Sequence, residues 1–112
     1  KNINNFPKLP NVNFYFEINK SVIENSNCIM TDVFTSMNDL DLGDKDKLLS
    51  KFQVNNELMS ITNDSCIFMH CLPANIGSEV TQTVLNSNKS VTLEQAKNRL
   101  IAQKGILKWL NI

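Results

Sequence analysis

The sequence predicts an α/β fold built on a short, mostly parallel sheet. Two compact apolar runs, Cys28–Phe34 and Cys66–His70, read as strands; helical patterns lie between and after them; and 31 residues separate Phe34 from Cys66. Continuous apolar runs of this length suit strands covered on both faces. A parallel crossover needs a dozen or more residues, and the interval exceeds that comfortably. At 112 residues the chain fits one domain, long enough to bury about 65% of the surface of its unfolded form.

Each element follows from local chemistry. Residues 1–13, with Pro7 and Pro10, form a leading loop segment, and 14–112 make the domain proper. Asn13–Phe16 is short and aromatic and predicts a strand. Asn19 is placed to cap a brief helix running to Asn25, with Val22 and Ile23 turned inward. Cys28–Phe34 is interrupted only by Asp32, near its C-terminal end. Thr35–Asp46 is a polar, acidic loop, and Lys47–Phe52 supplies a helical turn with Leu48, Leu49 and Phe52. Asn55 predicts the cap of a helix to Ile61, with Val54 and Met59 as a hydrophobic staple. The second strand ends at Cys71-Leu72-Pro73, since proline cannot donate to a ladder. A helical turn is expected within Glu79–Leu85. The longest helix runs from Glu94 to Leu110, where Ala96, Leu100, Leu107 and Leu110 share one face of a 3.6-residue period.

If the two strands are parallel, the residues after Asp32 and after His70 open onto one edge of the sheet. Open α/β sheets bind ligands in the crevice at the carboxyl ends of their strands. Asp32–Met37 and His70–Pro73 are therefore nominated as a single site.

Composition narrows the chemistry. Eleven basic residues balance eleven acidic ones, which excludes a strongly basic nucleic-acid platform. No apolar run spans a bilayer, and no secretory signal opens the chain. Glycine-rich phosphate loops and nucleophile elbows are absent. Three cysteines without C-x-x-C spacing point to a reducing compartment rather than a disulfide framework. Cys66, His70 and Cys71 resemble a metal cluster, but on one strand Cys71 faces away from the other two, so no metal is expected. A Ser36/His70/Asp32 hydrolase triad has no oxyanion-hole motif beside it. Ten of the basic residues are Lys and one, Arg99, is Arg. Only that side chain offers a planar fork of donors for a carbonyl or phosphate oxygen.

The segments Thr31–Met37 (TDVFTSM), Phe52–Met59 (FQVNNELM), Phe68–Ala74 (FMHCLPA), Gln95–Leu100 (QAKNRL) and Ala102–Leu107 (AQKGIL) resemble, in order, the second half of the ornithine carbamoyltransferases. These belong to the aspartate/ornithine carbamoyltransferase family. The resemblance covers about residues 14–112. It implies a Rossmann-like α/β three-layer sandwich, the ornithine-binding C-terminal half of a transcarbamylase. It further implies carbamoyl transfer from carbamoyl phosphate to the δ-amine of L-ornithine, giving L-citrulline and phosphate, with no cofactor. Residue by residue, Asp32, Ser36 and Met37 match ornithine-holding positions. Cys71 and Leu72 match positions lining the reacting centre, and Arg99 matches the arginine that binds carbamoyl phosphate. His70, Pro73 and Asn98 are expected to support these contacts from behind. Cys71 and Arg99 are the residues expected to act in catalysis.

Two local departures stand out. The family's S-M-G is Ser36-Met37-Asn38 here, and its E-N-R is Lys97-Asn98-Arg99, reversing a charge beside the arginine. The family's S-T-R-T and H-P-x-Q segments belong to an N-terminal carbamoyl-phosphate domain that this chain does not contain. The 112-residue chain is thus expected to be inert alone and to act within a homotrimeric enzyme. The expected location is cytoplasmic, with a mitochondrial matrix as the alternative. A non-catalytic remnant binding an amino acid or partner, and a transcarbamylase for another amine, are the competing readings.

Overall fold

A computed structural model describes residues 9–35 and 47–111. Asn19 adopts an extended backbone, and its side chain accepts the Val22 N–H at 3.4 Å, opening α1 (Lys20–Glu24). The helix closes where Asn25 Nδ2 donates to the Ser21 carbonyl and Ser26 Oγ to that of Val22. Ile23 packs against the core as expected, whereas Val22 stays exposed.

The strand β1 (Cys28–Thr31) buries Ile29 and turns Cys28 and Met30 outward. It is shorter than the apolar run because the Asp32 carboxylate accepts the N–H of Val33 at 2.7 Å. That local bond draws the backbone away from the ladder. Residues 47–49 are helical and tighten into a 3-10 turn at Ser50–Phe52. Asn55 then caps α2 (Asn56–Ile61), accepting from Leu58 N–H at 2.9 Å. Val54 and Met59, the predicted staple, are both buried in one cluster.

The strand β2 (Ile67–His70) pairs with β1 in parallel, Ile29 opposite Phe68 and Thr31 opposite His70. On its other edge Phe68 donates to the Lys89 carbonyl at 2.7 Å and accepts from Val91 N–H at 2.9 Å. Phe68 is thus held on both sides and fully buried. Around it gather Ile29, Val54, Leu58, Met59, Cys66, Val80 and Val84. The last of these comes from α3 (Gln82–Leu85). Asn63 Nδ2 donates to the Ser26 carbonyl, and Lys89 Nζ donates to Thr62 Oγ1 and the Asn63 carbonyl, tying the loops before the two strands together.

Two expectations are corrected. Asn13–Phe16 is not a strand. Aromatic content favours a strand only beside a neighbour that offers its edge, and the sheet among the described residues consists of β1 and β2. The terminal helix α4 (Thr92–Trp109) forms, but Ala96, Leu100, Leu107 and Leu110 are all exposed. Periodicity identifies a helix, whereas burial needs an opposing surface, and α4 meets β2 only near its start, where Thr92 is buried. The acidic loop of 36–46, including Ser36, Met37 and Asn38, lies outside the described residues.

Two substitutions test these local arguments by urea denaturation. Asn55→Ala removes the cap of α2 and is expected to cost about 1 kcal/mol. Gly105 lies within α4, and a Cβ there would meet no atom within 4 Å. Gly105→Ala is therefore expected to stabilise by about 0.5–1 kcal/mol, and a loss of stability would contradict the open geometry.

Candidate functional site

Because β1 and β2 are parallel, Asp32 and Cys71 emerge side by side at their carboxyl ends. Cys71 Sγ donates to Asp32 Oδ1 at 2.9 Å across 39 positions of sequence. Each group moves the other. The thiol's hydrogen bond, followed by that of Val33 N–H, holds the Asp32 carboxyl below the usual carboxylate range. In return, hydrogen bonding to Asp32, then burial, then the aspartate's charge push the Cys71 thiol up, against smaller lowering by a backbone hydrogen bond and, last, by the Arg99 charge. Arg99 itself is exposed on α4.

Behind this pair sits a buried one. His70 and Glu79 are both fully inaccessible, with His70 Nε2 3.2 Å from Glu79 Oε1. The N–H of Leu72 donates to His70 Nδ1 at 2.9 Å. A nitrogen that accepts a backbone N–H carries no proton, so the ring is the Nε2–H tautomer and donates to Glu79. Glu79 Oε1 accepts a second time, from Asn75 N–H at 2.6 Å. Leu72, bonded to this ring, has φ +53°. That is the left-handed region, which costs a residue with a Cβ about 1–2 kcal/mol. The Leu72–Pro73 peptide that follows is cis.

Of the nominated residues, Asp32, Cys71, Leu72 and His70 come together, whereas Arg99 is exposed on α4 and makes no hydrogen bond or ion pair with them among the described residues. Ser36 and Met37 lie outside the described residues. Asn98 is exposed on α4, and no hydrogen bond links it to the group. Lys97 and Arg99 are two residues apart, about 200° around the helix, so the reversed charge faces a different side. With both ring nitrogens engaged, His70 cannot serve Ser36 as a base, which removes the hydrolase triad. Among the described residues no group of three His, Cys, Asp or Glu side chains is placed to hold a metal. Glu79 was missed from sequence. Its signal was a carboxylate set directly before the apolar Val80 in a chain whose one histidine ends a buried strand.

Residues 8–110 match the family model described as aspartate/ornithine carbamoyltransferase, Asp/Orn binding domain. The chain belongs to this family. It is 46% identical over 90 residues to an ornithine carbamoyltransferase of Rhodopseudomonas palustris, covering 80% of this chain and 29% of that protein. An ornithine carbamoyltransferase of Hyperthermus butylicus is 44% identical over 86 residues, covering 76% and 27%. Among solved structures, ornithine carbamoyltransferase from Pyrococcus furiosus matches with a TM-score of 0.71 at 40% identity, over 79% of this chain and 28% of that one. The anabolic enzyme of Campylobacter jejuni matches with a TM-score of 0.74 at 30% identity, over 82% and 31%. The chain thus has the α/β fold of a transcarbamylase domain and spans under a third of the length of these relatives.

The Asp32–Cys71 pair has a defined pH window. Asp32's lowered carboxyl contributes stability that is present above the ordinary carboxylate value and lost as pH falls through the lowered one. Cys71's raised thiol contributes below the ordinary thiol value and loses this as pH rises through the raised one. At pH 8 Cys71 should therefore react with iodoacetamide more slowly than a cysteine in an unfolded peptide. Asp32→Ala should accelerate it about fivefold. Site-resolved mass spectrometry reads the rate, and an unchanged rate would show that the aspartate does not hold the thiol.

Proposed function

We propose that this chain is the ornithine-binding part of an ornithine carbamoyltransferase, in which carbamoyl phosphate and L-ornithine give L-citrulline and phosphate. The observation that carries this reading is the Asp32–Cys71 contact at the carboxyl ends of two parallel strands, beside the left-handed Leu72. The names of the relatives support the same activity. The remaining two thirds of such an enzyme, absent from this chain, would supply the carbamoyl-phosphate site, and the homotrimer, the cytoplasmic setting and a place in arginine biosynthesis belong to the same proposal.

The reaction needs a neutral amine, a fixed electrophile and a home for developing negative charge. Asp32 is exposed and ionised, suited to hold the α-ammonium of ornithine. An ammonium seated there competes with the thiol for Oδ1 and leaves Cys71 beside the δ-amine. Ser36 and Met37, on the loop that follows, complete the amino-acid side in this reading. The δ-nitrogen lone pair attacks the carbamoyl carbon, and a tetrahedral centre forms with charge on its oxygen. As it collapses, the C–O bond to phosphate breaks with its electron pair, and the nitrogen gives up a proton to the departing phosphate. The Leu72 backbone and Cys71 line this centre, and the guanidinium of Arg99 lowers the energy of the oxygen charge. His70 and Pro73 set the Leu72 backbone from either side, and Asn98 flanks Arg99 on α4.

Two measurements test the proposal. The 112-residue chain alone should form no citrulline, and joining it to a family carbamoyl-phosphate domain should restore formation. In that joined enzyme Arg99→Lys replaces a fork with a point charge and should lower kcat/KM for carbamoyl phosphate about a hundredfold. Citrulline from the chain alone, or unaltered kinetics in the lysine variant, would refute the assignment.

A further inference from the structure

The buried His70–Glu79 pair is itself anchored from a distance. Glu79 ends a turn in which Ser78 N–H donates to the Asn75 carbonyl at 3.0 Å and Gly77 N–H to that of Val80 at 2.8 Å. Gly77 adopts φ +91°, a conformation open to glycine. The carbonyls of Gly77 and Ser78 both accept from one side-chain nitrogen, Gln53 Nε2, at 2.8 and 2.9 Å. A carboxamide nitrogen has two N–H donors, and here each has its own carbonyl. The next residue continues the suture. Val54 N–H donates to the Glu79 carbonyl at 2.9 Å, and Thr81 N–H donates to the Val54 carbonyl at 3.1 Å. Val54 pairs with Val80 in an isolated parallel bridge and is buried.

From these bonds we infer that Gln53 is a positioning residue for the site. It fixes the 77–78 peptides, these aim Glu79, Glu79 holds the His70 ring, and the ring holds the Leu72 N–H with φ +53° beside Cys71. Every link is a hydrogen bond or an adjacent peptide, and none passes through solvent-exposed charge. The neutral amide also places no charge next to the buried carboxyl, where an extra cation or anion would have to be compensated. The link to catalysis rests on the functional reading above, since that reading puts Leu72 at the reacting centre. The mechanical link does not, and it is tested without turnover.

The experiment is NMR and amide hydrogen exchange on the 112-residue chain. Gln53→Met keeps the shape of the side chain and removes both donors. Protection of the Leu72 amide should fall about tenfold, and the His70 ring nitrogens should lose the pattern of a fixed Nε2–H tautomer. The Val91 amide, on the far edge of β2, should keep its protection. Gln53→Glu keeps the length, removes the donors and adds a charge, and should lose Leu72 protection at least as far as the methionine variant does. Two results overturn the proposal: shifted Gly77 and Ser78 signals with unaltered Leu72 and His70, or equal losses at Leu72 and Val91. Should the methionine variant not fold, the parent protein decides. Leu72 and Val54 amides should exchange with the same dependence on urea, and an independent opening of Leu72 would overturn the inference. A failure of carbamoyl transfer in the joined enzyme would leave these signals as predicted, so the two readings fail separately.

Discussion

The hydrogen bond between His70 and Glu79 stands at the centre of the molecule, and both sides of it lie in apolar surroundings. Phe68, Val80, Val84 and Cys66 are the other fully buried side chains. Placing an imidazole and a carboxyl among them is unfavourable unless their polar atoms find partners. Most do: Nδ1 accepts from the Leu72 N–H, the Nε2–H donates to Glu79 Oε1, and Oε1 also accepts from the Asn75 N–H. Of the pair's own polar atoms, Glu79 Oε2 alone has no hydrogen bond among the described residues. The arrangement joins the end of β2 to the turn before α3, segments that the hydrophobic effect alone would bring near each other without fixing their angle. Removing either partner would leave the other buried and unsatisfied, a larger loss than the bond itself is worth.

Ahead of that dry pair lies a wet one. Asp32 and Cys71 meet at the surface, where water competes for both. Their contact is close, yet a ligand cation can replace it. The contrast divides labour between two adjacent residues. His70 is locked and positions the backbone; Cys71, its neighbour, is held by a single exposed side-chain contact. Parallel pairing is the reason they cooperate, because it alone delivers the end of β1 and the end of β2 to the same edge.

Much of this was legible in the sequence, and the limits have physical causes. The parallel sheet followed from two uninterrupted apolar runs and the long interval between them, and the nomination of Asp32 and Cys71 followed from parallelism. Asn19 and Asn55 announced helix starts because capping depends on one side chain and the few residues after it. Asn13–Phe16 misled, since a strand is a relation between two segments and only one is visible in a local pattern. The face of α4 misled for a related reason: Leu100 and Leu107 record an apolar stripe without recording what covers it. Glu79 was out of reach because its role is defined by His70, nine residues away and on a different element. Gln53 was harder still, its partners being carbonyl oxygens that any sequence possesses.

The strained backbone of Leu72 draws these strands together. A left-handed leucine is unfavourable by itself and persists only where its surroundings over-determine it. Here the determinants are spread over three segments, from Gln53 through the 75–80 turn to His70, and all of them lie within this domain. The geometry is therefore set before any substrate arrives, and it costs no reorganisation when charge develops in a reaction. The groups proposed to meet the substrates' charges, Asp32 and Arg99, are by contrast exposed. On the proposed function, a domain of this kind would bring a rigid reacting edge to its partner half and leave the charged contacts to be completed when the two halves and both substrates meet.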